Sequence, residues 1–207
     1  MIKNIVFDMG GVLIEWNPER MLNRLHLPEA DNEILNRELL HNKVWTDADK
    51  GIYNEEQLEA VAYDRLPEHL HEPARALIQW YKWFLNPMPG MAALVRELKA
   101  NGYHIYLLSN APTNLRKYFA QIPGSECFDA LMVSAEEQLT KPSPEIYERL
   151  FQKFGLNPAE CWFTDDNAPN VVSAVQAGMQ AAEFHGDVKQ LRRQMIAAGI
   201  LCREDAE

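Results

Sequence analysis

Four short apolar runs in this chain stop abruptly at polar residues. Ile5-Val6-Phe7 stops at Asp8 ahead of Gly10-Gly11, and Tyr103–Leu108 stops at Ser109-Asn110. Phe128–Val133 is followed by the loop carrying Lys141, and Cys161–Phe163 runs into Thr164-Asp165-Asp166. Gln180–Phe184 is a weaker fifth run. Runs this short, rich in β-branched and aromatic residues and mostly apolar, read as buried strands. Helical patterns lie between them. Gly90–Ala100 places Met91, Leu94, Val95 and Leu98 on one face, with Gly102 as its stop. Pro144–Phe154 follows Ser143 and ends at Gly155, and Ala168–Ala177 ends at Gly178. Strand alternating with helix requires crossover connections. The expected class is therefore α/β, a three-layer core with a central parallel sheet and helices on both faces.

One segment breaks that alternation. Between Asn17 and Pro87 the periodic stretches Glu19–Leu25, Asn32–Leu40, Asn54–Leu66 and Glu72–Trp83 follow one another without a strand, punctuated by Pro28, Gly51, Pro67 and Pro73. Asn86-Pro87-Met88-Pro89-Gly90 reads as a stiff linker back to the alternating region. The organisation expected is an α/β core domain over 1–16 and 88–207, with an all-helical cap over 17–87 inserted after the first strand. A hydrophobic share of 47% is enough to fill such a core.

Charge and composition exclude several functions. A net charge of −10 gives no basic stripe for phosphate neutralisation, so no nucleic-acid partner is expected. No apolar run approaches the roughly 18 residues of a membrane span, and the N-terminus has no signal-peptide pattern. Cys127, Cys161 and Cys202 are too far apart for a metal pair or a disulfide framework. A cytoplasmic protein without membrane partners is expected, and no motif fixes its oligomeric state.

In an open parallel sheet the ligand crevice forms at the carboxyl ends of the strands. That edge would receive Asp8, Ser109, Asn110, Lys141, Asp165 and Asp166. Each alone has an ordinary explanation. An aspartate at a strand end caps a turn or a helix, Ser-Asn is a common turn, and Lys141-Pro142 reads as loop. Their occurrence in order at successive strand ends is what carries a functional reading. Gathered carboxylates need a compensating cation or shifted protonation, and a hard divalent ion such as Mg²⁺ fits that need. The set suits phosphoryl transfer. Asp8 would attack phosphorus, while metal, lysine and hydroxyl take up charge on the transferring group.

The whole chain resembles the haloacid dehalogenase (HAD) superfamily, specifically its phosphatases with a helical cap and a Rossmann-like core. Four motifs carry the resemblance: Val6-Phe7-Asp8-Met9-Gly10-Gly11-Val12-Leu13, Leu107-Leu108-Ser109-Asn110, Thr140-Lys141-Pro142-Ser143-Pro144-Glu145-Ile146-Tyr147 and Trp162-Phe163-Thr164-Asp165-Asp166-Asn167. The stretch Trp45–Leu58, with Gly51, is similar to caps of glucose-1-phosphate phosphatases and of the soluble epoxide hydrolase phosphatase domain. The resemblance implies Asp8 as the nucleophile that becomes an aspartyl phosphate. It implies Mg²⁺ held by Asp8, the backbone carbonyl of Gly10 and Asp166. Asp165 and Asn170 would be outer partners of that site. Ser109 and Asn110 would hold phosphate oxygens, and Lys141 would neutralise nucleophile and phosphate together. The activity implied is Mg²⁺-dependent hydrolysis of a small phosphorylated metabolite, such as glucose 1-phosphate. The alternatives are a 2-haloacid dehalogenase and a catalytically impaired binding protein.

The chain departs from that pattern at Gly10. Relatives commonly carry there a second aspartate, which serves as general acid and base. Glycine has no proton to give, so the departing oxygen would need help from water, from the cap or from its own stability, which favours esters with good leaving groups, glucose 1-phosphate or aryl phosphates over glucose 6-phosphate.

Other features have plainer readings. Trp16, Trp45, Trp80 and Trp83 gather in or beside the helical segment, where cap core is the default. Trp16 and a turn over Trp45–Gly51 are the better candidates to face the crevice. His69-Leu70-His71 reads as a solvated turn and Arg192-Arg193 as the wet face of a C-terminal helix.

Overall fold

The structure, a computed structural model, describes residues 1–202. The last residues of the expected core, 203–207, lie outside the described residues. The strands are β1 (Asn4–Phe7), β2 (His104–Ser109), β3 (Ala130–Val133), β4 (Cys161–Asp165) and β5 (Gln180–Glu183). They form one parallel sheet in the order β3-β2-β1-β4-β5. All five expected strands are present. β3 starts two residues inside its apolar run: a 3-10 turn over Ser125–Cys127 ends just before that run, and Asp129 bonds β2 through both backbone and side chain, its N donating to Ile105 O at 2.7 Å and its Oδ2 accepting from Ile105 N at 2.8 Å.

Alternation along the strands divides the core. Ile5, Phe7, Ile105, Leu107 and Trp162 point to one face, and Val6, Tyr106, Leu108, Cys161 and Phe163 to the other. The second face is covered by α9 (Pro144–Phe154) through Ile146, Tyr147 and Leu150, and by α10 (Ala168–Gln176) through Ala174. The first face packs on α6 (Met91–Ala100) and α11 (Val188–Ala197). It shares one continuous apolar cluster with the helical segment.

That segment contains α1 (Pro18–Asn23), α2 (Glu29–Leu35), α3 (Lys43–Asp49), α4 (Glu55–Tyr63) and α5 (His71–Ile78). Asn36–Leu40 extends α2 as a π-helical turn. Asn17, Asn42 and Asn54 accept backbone N–H bonds at the starts of α1, α3 and α4. The two connections to the sheet run side by side and antiparallel: Glu15 N donates to Asn86 O at 2.8 Å and Met88 N to Leu13 O at 2.9 Å. Two short helices, α7 (Leu115–Tyr118) and α8 (Ser134–Glu137), follow β2 and β3.

Three local expectations are corrected. Trp45–Gly51 is not a turn, because its first five residues are helical and only Lys50-Gly51 turns. His71 is not solvated. Its ring stacks on Tyr63 at 4.3 Å and its Nε2 lies 3.1 Å from Leu66 O, while His69 remains exposed against Asp31. Arg192 is not on a wet face. It turns inward to pair with Glu97 of α6, and only Arg193 stays exposed.

Candidate active site

The strand order reverses at β1, with β2 on one side and β4 on the other, and this switch point is where an open parallel sheet opens a crevice. Register pairs Phe7 with Thr164, which sets Asp8 beside Asp165 at the carboxyl edge. Asp8 N donates to Thr164 O at 2.9 Å, continuing the ladder one residue past the strand.

Lys141 is buried between these acids. Its Nζ lies 2.8 Å from Asp8 Oδ1 and 2.6 Å from Asp165 Oδ2, and it donates to Leu108 O at 2.9 Å. The Asn110 side chain fixes the lysine backbone in both directions, accepting from Lys141 N and donating to Lys141 O, each at 2.9 Å. Asp165 is fully engaged. Asn170 Nδ2 donates to its two oxygens at 2.9 and 3.1 Å, and Asn167 N donates to Oδ1 at 2.9 Å. Tyr147 OH in turn donates to Asn170 O at 2.8 Å. A buried ion pair survives only when its lone pairs are satisfied in this way.

Carboxylate oxygens of Asp8, Asp165 and Asp166 lie within 4.8 Å of one another. Asp166 approaches the nucleophile loop closely, since a Cβ on Gly11, whose φ is +72°, would fall 2.0 Å from Asp166 Oδ2. Three acids against one ammonium leave two negative charges, which a hard divalent cation balances. With Asp165 saturated by protein donors, Asp8 and Asp166 keep oxygens free for such an ion.

The electrostatics agree. Burial pushes the Asp8 carboxyl up to about 7, against the pull of Lys141, and Asp165 adds to the rise. Burial would lower the Lys141 ammonium, but Asp8 and Asp165 outweigh it and hold it above the ordinary lysine value. Asp166 is raised by burial and by Asp165. A carboxylate shifted by burial in a cleft, with a named charge partner, is what a candidate functional site shows.

Asp8, Gly10, Asn110, Lys141, Asp166 and Asn170 all line one cavity of about 300 Å³. Ser109 is buried at the end of β2 and is not part of its wall, whereas Asn110 beside it is. The rest of its wall is aromatic, built from Trp45 and Trp80 of the helical segment, Trp16 at its entry and Tyr118 of α7. Trp16 packs 5.8 Å from Trp45 and 5.2 Å from Trp80, and Trp80 lies 5.5 Å from Tyr118. Trp80, expected as core, is both buried and part of this wall.

One wall residue was missed in the sequence. Asp49 ends α3 and faces the same cavity as Asp8. Burial, reinforced by the Asp8 charge, raises its carboxyl to about 7. The available signal was helical spacing, because Trp45 and Asp49 stand four residues apart on one face of α3. Reading the stretch as a turn hid it.

Carboxylates, a lysine and a cation-sized acidic cradle at the switch point define an α/β enzyme that works with acids at its strand ends. The model of the haloacid dehalogenase-like hydrolases matches residues 2–178, and the chain belongs to this family. Sesquiterpene phosphatase astK of Aspergillus oryzae is 28% identical over 187 residues, covering 86% of this chain and 87% of its own. D-ribitol-5-phosphate phosphatase of Bacteroides thetaiotaomicron is 25% identical over 193 residues, covering 87% and 90%. A HAD-family enzyme of Bacteroides thetaiotaomicron, solved with magnesium and inorganic phosphate, superposes with a TM-score of 0.77 over 92% of this chain and 99% of its own. At 21% identity that likeness shows the shared fold. The protein is a hydrolase of a family whose named relatives include phosphatases. Among the described residues no helix is long and apolar enough to cross a membrane.

Proposed function

We propose that this hydrolase cleaves phosphomonoesters of small metabolites in a Mg²⁺-dependent reaction, through an aspartyl phosphate on Asp8. The observation that carries the reading is the buried Asp8–Lys141–Asp165 array opening onto a cavity beside Asp166. In this reading an Asp8 oxygen attacks phosphorus, the ester P–O bond breaks, and water then attacks phosphorus to return the free carboxylate and inorganic phosphate. Lys141 balances charge on both nucleophile and phosphate. Asp165 and Asn170 hold the lysine from behind. Ser109 and Asn110 are the proposed phosphate contacts, Ser109 through a hydroxyl that a seated phosphate must reach. Asp8, the Gly10 carbonyl and Asp166 would hold Mg²⁺. Bound there, the ion supplies positive charge to the phosphoryl oxygens.

The helical segment 17–87 serves as the cap over a core of 1–16 and 88–207, with the paired connections around Ile14 and Pro87 as hinge. Closing it excludes water from the transfer. The aromatic wall suits an alcohol with an apolar face, such as the ring of glucose 1-phosphate against tryptophan. The test is a panel of sugar, polyol, aryl and isoprenoid monophosphates with Mg²⁺ and with EDTA. Metal-dependent phosphate release is expected. Binding of these esters without release would overturn the reading.

A further inference from the structure

Residue 10, a glycine, carries no group that could give a proton to the leaving oxygen. The backbone of Gly10 lies outside the left-handed region, so its conformation does not require glycine, and a Cβ there would make ordinary van der Waals contact with Trp16 Cβ at 3.4 Å. With no acid at residue 10, a proton donor for the leaving group must come from another residue that lines the cavity. Away from the sheet edge, three lining groups can carry a proton: His41, Tyr118 and Asp49. His41 is exposed, with its Nδ1 2.7 Å from Asn36 Oδ1. Tyr118 is buried in a stack on Tyr81, and burial drives its hydroxyl far above the ordinary tyrosine range. The Asp49 carboxyl has no hydrogen-bond or ion-pair partner among the described residues, although it lines the cavity with Asp8, Trp45 and Trp80 and feels the Asp8 charge.

Its backbone, by contrast, is fastened to the core. Ser134 Oγ donates to Asp49 O at 2.5 Å while accepting from Ala111 N at 2.9 Å. Two residues on, Gly51 has φ +76° and lies so close to Ala135 that a Cβ would fall 2.2 Å from its carbonyl oxygen. The end of α3 is thus held on the start of α8 and, through Ser134, on the loop after β2, with the Asp49 carboxyl lining the cavity. An unpartnered acid on a fixed backbone suits proton transfer better than structural support.

We infer that Asp49 is the general acid and base of this hydrolase, supplied by the helical segment in place of the side chain Gly10 lacks. The inference rests on the phosphomonoesterase reading above. In the first half-reaction Asp8 bonds to phosphorus, the ester P–O bond breaks, and the Asp49 proton passes to the leaving oxygen to give the alcohol. In the second, the Asp49 carboxylate takes a proton from water as the water oxygen bonds to phosphorus and the Asp8–phosphorus bond breaks. Asp49 ends protonated and the enzyme is restored.

The experiment compares wild type, Asp49→Asn and Asp49→Glu on 4-nitrophenyl phosphate and benzyl phosphate with Mg²⁺. The quantity is kcat/KM, which reports the steps through leaving-group departure. Asp49→Asn should lose about 10² to 10⁴-fold on the benzyl ester, whose alkoxide needs the proton, and under about tenfold on the nitrophenyl ester. It should also release a burst of nitrophenol, because the aspartyl phosphate loses the base that activates water. Asp49→Glu should recover part of the benzyl activity. Equal losses on the two esters, or none on either, overturn the role of Asp49 while leaving the phosphatase reading intact. Failure of wild type to hydrolyse either ester overturns both.

Discussion

The two walls of the cavity are built on different physical terms. The sheet-edge wall is polar, and its side chains are held by one another: Asn110 on Lys141, Lys141 on Asp8 and Asp165, Asn170 on Asp165. The helical wall is aromatic and held by shape, with Trp16 wedged between Trp45 and Trp80 and one carboxyl, Asp49, that has no partner among the described residues. A cross-linked polar wall preorganises charge for a single chemistry. A wall of stacked rings can change its residues while keeping its volume, so it is the place to vary what is bound. On the proposed reading the contrast is a division of roles, with the nucleophile and the cation ligands on the sheet, and on the helices the rings that select the substrate and the Asp49 carboxyl that serves its leaving oxygen. If that division is real, substitutions on the two walls must fail in different ways.

The largest effect belongs to Asp8. Asp8→Asn should lower turnover by at least about 10³-fold, since an amide forms no acyl phosphate. The fold should persist, because a buried charge is removed and the Met9 N–H keeps an oxygen acceptor. Phosphate release and circular dichroism check both halves, and a variant at wild-type rate would rule out covalent catalysis by this residue. Next comes Lys141→Ala, which strands Asp8 and Asp165 without their ammonium. Removing one partner of a buried array costs about 3–5 kcal/mol, so the midpoint of chemical denaturation should fall. Added Mg²⁺ should not restore the activity that is lost.

Asp166→Ala should act on the cation instead. The Mg²⁺ concentration giving half-maximal rate should rise at least about tenfold, and saturating Mg²⁺ should recover much of the rate. An unchanged titration would move the cation away from Asp166. On the helical wall, Trp45→Ala should raise KM roughly tenfold with kcat within a few-fold, since it removes a stacking surface and no reacting group. A shift in Mg²⁺ requirement in that variant would break the proposed division between the walls.

The same division explains what could be read from the chain. Buried strands are short and apolar on both faces, so Ile5–Phe7 and Tyr103–Leu108 announce themselves, and each terminates at a residue that must meet water or a ligand. The order of Asp8, Ser109, Lys141 and Asp165-Asp166 was therefore legible before any contact was known. Asn110 was legible as a site residue, but its side-chain bonds to the Lys141 backbone were not, because they join loops 31 residues apart. Asp49 escaped for another reason. Its helix is seven residues long and starts at an Asn42 cap rather than at a strong apolar repeat, so local propensity gave little signal. What fixes Asp49 over the site is Ser134, a residue 85 positions away.

The smallest effect is one of stability, and it compares the walls through pH. Asp8 and Asp49 each have a folded value near 7 against an ordinary value of 3.8. Below about pH 4 both states hold the proton, and neither acid makes stability depend on pH. Between the two values the unfolded chain has lost the proton and the folded chain keeps it, so stability falls as pH rises and the loss is complete above the folded value. In metal-free protein, Asp8→Asn and Asp49→Asn should therefore gain on wild type as pH goes from 5 to 8, each by at most a few kcal/mol in order of magnitude. Mg²⁺ should then separate them. An ion bound to Asp8 holds that carboxylate ionised in the folded state and reverses the advantage of Asp8→Asn, which has lost a ligand. Asp49→Asn keeps the proposed ligands and should bind the ion as wild type does, so its advantage should shrink only by the share of the Asp49 rise that the Asp8 charge contributes. Thermal melts at pH 5 and pH 8, with EDTA and with Mg²⁺, give the comparison. Identical responses of the two variants to Mg²⁺ would show that Asp49 belongs to the cation site and not to the opposite wall.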